Sequence, residues 1–136
     1  MVILIFLRLL KGCIARFGFG IHSPFAFEFV SMLREIDSFL PVKEKQLQII
    51  SMLQKKYDLT VKECSLDDIN DIQNIVANEI GEFFIVVNNI YANKNKFNNW
   101  KKIQANKNIC VTFDLYHTGI LVVRNGLSKN NYIINC

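Results

Sequence analysis

The chain has 136 residues, 51% of them hydrophobic, and 16 Lys and Arg against 12 Asp and Glu give it a net charge of +4. This length and apolar content fit one folded domain and exclude a disordered chain. The charge excess is well below that of a dedicated nucleic-acid-binding protein, so composition predicts no nucleic-acid partner.

The four cysteines, Cys13, Cys64, Cys110 and Cys136, are far apart in the sequence. They form no CxxC pair, and the two histidines do not complete a zinc-binding pattern. Cys64 and Cys110 fall in strand-like runs, where a free cysteine behaves as a small apolar residue. We interpret the cysteines as reduced and structural, which predicts a cytoplasmic protein.

Residues 1–10 are apolar except for Arg8. The uncharged run is much shorter than the ~20 residues of a membrane span, and its positive charges follow it instead of preceding it as in a signal peptide. We therefore predict a helix over 2–17 that packs on the domain or on a partner, with a break at Gly18–Gly20. Peripheral membrane contact through this segment stays open as an alternative.

Two more helices are predicted before the first strand. Ser23 as N-cap and Pro24 at the first helical position begin one, and Pro41 ends that segment. The second covers 42–57. Their apolar positions recur at helical spacing, with Phe25, Phe29, Val30 and Leu33 in the first helix and Leu47, Ile50, Leu53 and Tyr57 in the second.

The middle of the chain alternates strands and helices. Residues 58–64 read as a strand, and Ser65–Asp68 resembles a capping box that opens a helix ending near Gly81. Phe83–Val87 is apolar without alternation, which is typical of a central strand covered on both faces. A polar helix follows over 94–105. The apolar positions are Leu66, Ile69, Ile72, Val76 and Ile80 in the first helix and Phe97, Trp100 and Ile103 in the second.

The last third predicts a strand over 109–116, a tight connection at 117–119, and strands over 120–124 and 132–134. This order predicts an α/β fold with a parallel core, an antiparallel C-terminal meander and N-terminal helices. We expect a single domain over 1–136, with a helical segment at 1–41 followed by an α/β core at 42–136.

Few residues have side chains that are suited to catalysis or ligand binding. We expect His22 to make a structural hydrogen bond at a helix start, His117 to be exposed in its connection, and Asp114 to bind backbone or lie at a solvated edge. Lysines interleaved with aromatic residues over 94–108 are typical of nucleic-acid binding. The aromatic residues there share one helical stripe that should dock on the sheet, so we interpret the lysines as a solvated face.

Two blocks resemble a bacterial group of class I S-adenosylmethionine-dependent methyltransferases that is common in Bacteroidetes. The first, GIHSPFAF at 20–27, contains His22, Ser23, Pro24 and Phe25 and resembles the Gly-Val-His-Ser-Pro-Phe block near the start of those proteins. The second is the closing series FIVVNNIY at 84–91, WKKI at 100–103, VTFDLY at 111–116 and TGILVV at 118–123, with NYIIN at 131–135. Phe19 departs from the histidine that relatives usually have there.

The resemblance implies a reduced Rossmann-like, methyltransferase-type sheet, but the parts that bind the cofactor are missing. Those parts are a first strand, a glycine-rich turn and an acidic residue that binds the ribose hydroxyls. Between Phe27 and Phe83 this sequence has no glycine except Gly81. Related metal-dependent O-methyltransferases place carboxylates where this chain has Asn88 and Asn89, and neutral amides are poor ligands for a hard cation.

We therefore expect no catalytic, cofactor-binding or metal-binding residues, and Asn88, Asn89 and Tyr91 would mark a vestigial site. The asparagines would cap the following turn or helix. The expected function is a scaffold or interaction domain without autonomous catalysis and without a cofactor. Its partner would be a second copy or another protein, because loss of the leading strands should expose the flank of Phe83–Val87.

Two alternatives stay open. In the first, the chain is an O-methyltransferase-type enzyme that acts with a partner chain or through a non-standard S-adenosylmethionine site. In the second, it is a membrane-peripheral protein that binds through its N-terminal helix.

Overall fold

The computed structural model describes residues 24–36, 39–124, 127 and 129–134, which form four helices and one five-stranded sheet. The predicted helix over 2–17, the break at Gly18–Gly20, His22 and Ser23 lie outside the described residues. In chain order the elements are α1 (Pro24–Leu33), α2 (Val42–Tyr57), β1 (Thr60–Cys64), α3 (Ile69–Asn78), β2 (Phe83–Asn88), α4 (Lys94–Gln104), β3 (Val111–Asp114), β4 (Thr118–Val123) and β5 (Asn130–Ile133).

The sheet is mixed, with the strand order β1-β2-β4-β3-β5. The pairs β1–β2 and β3–β5 are parallel, and β4 runs antiparallel to both of its neighbours. The α/β class is therefore confirmed. The predicted C-terminal meander is wrong for β5: β2 and β3 occupy both edges of β4, so β5 crosses over and pairs with the far edge of β3.

Helices cover both faces of the sheet. Along β2, Phe84 and Val86 pack with α1 and α2, while Phe83, Ile85 and Val87 pack with the α3–α4 side. This strand is buried on both faces, as predicted. Its flank is not exposed, however, because β1 and β4 pair along both of its edges. The edge strands of the described sheet are β1 and β5.

Helix α1 is shorter than predicted. It ends at Leu33, and Arg34 N–H and Ile36 N–H donate to the carbonyls of Val30 and Leu33 in closing turns. Pro41 instead stands at the N-cap position of α2. The predicted face of α1 is confirmed, because Phe29, Val30 and Leu33 are buried. The Phe29 ring stacks on Phe113 of β3 with centroids 4.1 Å apart, which fixes α1 against the sheet.

Helix α2 has the predicted bounds, but its buried face differs. Leu47 is 58% exposed, whereas Ile49 and Leu53 are buried against the sheet. The helix ends where Asp58 adopts a left-handed conformation with φ of 52°. The following strand therefore begins at Thr60 and not at Asp58.

Tyr57 ends α2 inside an aromatic cluster with Phe25 and Phe84. Its hydroxyl oxygen is buried and has no hydrogen-bond partner among the described residues. Burial raises the pKa of Tyr57 to about 12, Glu28 adds to the shift, and Arg124 opposes it. The Arg124 guanidinium lies 5.9 Å from the Tyr57 ring centroid. Tyr57 is thus a partly buried residue whose ring packs against the core.

Helix α3 begins later than the sequence predicts. Asp68 is the N-cap, and its carboxylate accepts a hydrogen bond from Asp71 N–H at 3.1 Å. Ser65 Oγ instead accepts a hydrogen bond from Asp67 N–H in the preceding turn. The helix ends at Asn78, so Ile80, which is 97% exposed, is not on its buried face. Gly81, with φ of 97°, serves the turn into β2 and not the helix stop.

Helix α4 packs on the sheet through Trp100 and Ile103, as predicted, and Phe97 is half-buried beside them. The Trp100 indole lies directly against Gly119 of β4. A Cβ atom at position 119 would lie 2.6 Å from Trp100 Cζ3 and 2.9 Å from Ile90 Cδ1. Position 119 therefore needs glycine for space.

We predict that Gly119→Ala lowers the free energy of unfolding by about 1–3 kcal/mol, because the indole has to move out of a packed core. In a Trp100→Leu background the same substitution should cost less, since the ring that it meets is gone. Urea unfolding of the four proteins in this double-mutant cycle measures the difference. Equal costs in both backgrounds would contradict the contact.

Candidate functional site

Polar side chains gather at one edge of the sheet. The strands β1, β2, β3 and β5 run in one direction and β4 in the other, so the carboxyl ends of four strands and the amino end of β4 share this edge. It carries Asn88 at the end of β2, Asp114 at the end of β3 and Thr118 at the start of β4. Ligands of open α/β sheets bind outside the carboxyl ends of the strands. This carboxyl edge is therefore the candidate site.

Asp114 is the buried acid of the carboxyl edge, with an exposed fraction of 2%. Its Oδ2 accepts a hydrogen bond from the Tyr91 hydroxyl, and its Oδ1 accepts one from Tyr116 N–H at 2.8 Å. Both carboxylate oxygens are thus bound by groups of the chain itself. A solvated position, one of the two sequence interpretations, is wrong, and the backbone hydrogen bond, the other, is confirmed.

The hairpin between β3 and β4 holds Tyr116 in a left-handed conformation with φ of 77°. Leu115 N–H donates to the Thr118 carbonyl at 2.8 Å and closes the turn. A bulky residue seldom adopts positive φ. The turn directs the ring of Tyr116 onto Tyr91, where the two rings stack with centroids 5.4 Å apart.

A second polar group lies on the α2 side of the same edge. Thr118 Oγ1 accepts a hydrogen bond from Gln46 Nε2 at 2.9 Å, and His117 Nδ1 lies 2.8 Å from the same hydroxyl. Thr118 is fully buried and His117 partly buried, so the prediction of an exposed His117 is wrong. Asn88 lies opposite Thr118 in the β2–β4 ladder, and its buried Oδ1 has no donor among the described residues.

Of the two roles predicted for Asn88 and Asn89, capping a turn or capping a helix, the helix cap is wrong. Asn93 is the N-cap, and its side chain accepts a hydrogen bond from Lys96 N–H at 2.8 Å. Asn89 has φ of 58° and forms the turn after β2, where its N–H donates to the His117 carbonyl at 2.9 Å. Asparagine tolerates this left-handed conformation better than most residues. Asn89 therefore joins the two loops of the carboxyl edge.

The predicted vestigial site is only partly assembled. Tyr91 reaches Asp114, whereas Asn88 lies next to Thr118 and Asn89 is exposed. Across the parts of the chain that the structure describes, no three His, Cys, Asp or Glu side chains gather as metal ligands. From the block that carries the first resemblance, Pro24 begins α1, and the partly buried Phe25 packs 5.9 Å from Phe29.

Both loops that lead from a strand into a helix are filled by aliphatic side chains. Leu66 in the β1–α3 loop and Ile90 in the β2–α4 loop are fully buried. The Leu66 carbonyl also accepts a hydrogen bond from Asn99 Nδ2 at 2.6 Å. Neither loop contains glycine. They therefore lack the residue that lets a backbone approach a bound phosphate or cofactor most closely.

Sequence reasoning missed two buried polar residues of α4, Asn99 and Gln104. Gln104 Nε2 donates to Thr112 Oγ1 at 3.1 Å, and this hydroxyl donates to Asn131 Oδ1 at 2.7 Å. The helical spacing could have revealed them. Asn99 stands four residues before Ile103 and Gln104 four residues after Trp100, so both share the inward face of the helix. This network links α4, β3 and β5 and is structural.

Cys64 and Cys110 are free thiols and half-buried, in agreement with a structural role. Burial raises the pKa of Cys64, the Asp71 carboxylate adds to the shift, and Lys62 opposes it. The thiolate is the nucleophilic form of cysteine, so this environment disfavours reactivity.

No family model, curated protein or solved structure matches the chain. None of the helices in the described residues is long and apolar enough to cross a membrane.

We predict that Tyr91→Phe and Asp114→Asn each lower the free energy of unfolding by about 1–3 kcal/mol, since each breaks a hydrogen bond to a buried carboxylate. The double variant should cost clearly less than the sum of the two, because the same bond is lost once. Urea unfolding at neutral pH measures all three. Additive losses would show that the Tyr91 hydroxyl and Asp114 are not coupled.

Proposed function

We propose that this chain is a reduced relative of class I S-adenosylmethionine-dependent methyltransferases that has no cofactor site of its own and serves as a scaffold or interaction domain. The two sequence blocks support the relationship. The parallel β1–α3–β2 unit and the antiparallel β4 agree with a reduced sheet of that type.

The observation that carries the proposal is that the two strand-to-helix loops at the carboxyl edge lack glycine and are filled by buried aliphatic side chains. A nucleotide-like cofactor needs glycine in such a loop so that backbone N–H groups can approach it. Leu66 and Ile90 fill these loops with buried side chains, and Asn99 binds the Leu66 carbonyl. The buried acid at this edge, Asp114, is only 2% exposed and is held by Tyr91, so it does not present its carboxylate to ribose hydroxyls.

The edge strand β1 is the place at which a partner would join the sheet. Its side away from β2 has no pairing strand among the described residues. An unpaired strand edge offers main-chain donors and acceptors to another chain. Lys62 pairs with Glu79 at 2.8 Å, and Glu63 is exposed. These charges oppose indiscriminate pairing, so we propose a specific partner, with a second copy as the first candidate.

We predict that calorimetric titration with S-adenosylmethionine gives no binding heat at concentrations up to about 1 mM, which excludes binding free energies more favourable than about −4 kcal/mol. S-adenosylhomocysteine should behave in the same way. Circular dichroism of the same sample verifies that the protein is folded. Saturable binding of either compound with micromolar affinity would overturn the proposal.

We also predict self-association that depends on the β1 edge. Size-exclusion chromatography with light scattering should show an oligomer, and Glu63→Lys should weaken it, because two adjacent lysines would repel on each edge strand. Glu35→Lys makes the same charge change after α1 and is the matched control. A monomer at every concentration, or equal effects of both substitutions, would contradict association through β1.

A further inference from the structure

Three aromatic rings form a row beside α4. The centroids of Phe97 and Tyr91 are 5.6 Å apart, and those of Tyr91 and Tyr116 are 5.4 Å apart with an interplanar angle of 19°. Phe97 and Tyr91 are partly buried, whereas Tyr116 at the end of the row is 43% exposed. The left-handed turn at Tyr116 holds this ring in place. The aromatic row thus ends in a ring that is held by stacking and reaches solvent.

The outer face of α4 is basic. Lys94, Lys101 and Lys102 are exposed on it, together with Asn95 and Asn98. No Asp or Glu occurs between Glu82 and Asp114 in the sequence. The positive charge of Lys96 is partly neutralised by Asp67, with 3.8 Å between Nζ and Oδ2. We call the three exposed lysines the α4 basic face.

Lys101 connects the basic face to the aromatic row. Its Nζ lies 5.4 Å from the centroid of the Phe97 ring. The Phe97 ring packs against the Tyr91 ring, and the Tyr91 ring stacks on Tyr116. Positive charge and an exposed stacking ring therefore occur on one continuous surface. The sequence predicted that the aromatic residues of 94–108 dock on the sheet, and it could not show that Tyr91 and Tyr116 would extend the row outward.

We propose that this surface binds single-stranded nucleic acid, with a base stacked on Tyr116 and the phosphates along the α4 basic face. An aromatic ring next to lysines is the combination that binds single strands without sequence preference, because every base has a π-face. A duplex hides those faces inside its base stack. A membrane-binding helix needs apolar side chains on its outer face, whereas α4 presents Lys and Asn there. The proposal revises the expectation that no nucleic acid is a partner.

The inference does not use the β1 edge and does not depend on whether a cofactor binds, although Tyr91 belongs to the β2–α4 loop. The expected salt dependence of binding follows from the three lysines of the α4 basic face. If about three phosphates are neutralised, the slope of log affinity against log salt is about −2 for a single strand. Affinity should then fall about 15-fold between 50 and 200 mM salt. Loss of one stacked base should weaken binding by about fivefold or more.

The test is fluorescence anisotropy of the full chain with labelled oligo-dT and oligo-U of about 12 nucleotides, a length within the range of single-strand sites. Tyr116→Gly removes the ring and suits the positive φ, and Tyr116→Asn is a second variant with the same tolerance. Both should weaken binding at least about fivefold while thermal unfolding stays cooperative. The triple variant Lys94→Gln, Lys101→Gln, Lys102→Gln should reduce both affinity and salt slope.

The matched control is Lys43→Gln, Lys45→Gln, Lys55→Gln, which removes the same charge from α2 on the opposite face of the sheet. This triple variant should bind nearly as well as the natural chain. The proposal is overturned if both triple variants lose affinity equally, since bulk charge would then explain binding. It is also overturned if Tyr116→Gly binds as well as the natural chain, if a duplex of the same length binds more tightly, or if only phosphatidylserine vesicles are bound.

Discussion

The contact between Trp100 and Gly119 joins α4 to the strand from which the polar groups of the carboxyl edge are built. The indole lies where a Cβ atom of residue 119 would be, so α4 rests directly on the backbone of β4. Strand β4 pairs with β2 and β3, and its amino end follows the short hairpin from Leu115 to His117. Tyr116 acquires its left-handed conformation in that hairpin. This packing contact therefore lies beside the turn between Asp114 and Thr118, which carries Tyr116.

The antiparallel β4 also separates the polar groups into two sets. Side chains alternate between faces along a strand, so Asp114 faces the α4 side and meets Tyr91, while Thr118 faces the α2 side and meets Gln46. A ligand at the edge would have to compete with hydrogen bonds in both sets. Asp114 and Thr118 are thus held by hydrogen bonds within the chain, whereas the buried Asn88 Oδ1 lacks a donor among the described residues. This favours a structural edge over a catalytic one.

Much of the fold follows from local sequence patterns. The uninterrupted apolar run of β2, the bounds of α2 and the Trp100–Ile103 stripe of α4 were predicted correctly, because burial on a regular face leaves a periodic trace. The pairing of β5 with β3 was not predictable, since it depends on which edges the earlier strands leave open. The helix start at Asp68 was missed because Ser65 offered a competing cap.

The candidate site was less predictable than the fold. Asn88, Asn89 and Tyr91 were proposed as a vestigial site through the family resemblance, but the partner of Tyr91 lies 23 residues away in sequence. No periodic pattern reports such a long-range contact. The orientation of Asn99 could have been inferred, because Asn99 lies four residues before Ile103 and so shares its inward helical face. The hydrogen bond from Asn99 to the Leu66 carbonyl depends on the packing of α3 against α4, so it could not be inferred from the sequence.

The β2–α4 loop connects the packed core to the surface for which we propose nucleic-acid binding. Ile90 points into the core, where it fills the loop and comes close to Gly119. The next residue, Tyr91, turns away from the core and supports Tyr116. Ile90 anchors the loop in the core, and the adjacent Tyr91 supports the exposed ring of Tyr116. The same loop thereby places the ring on which we propose that a base stacks next to a helix whose exposed charges are all positive.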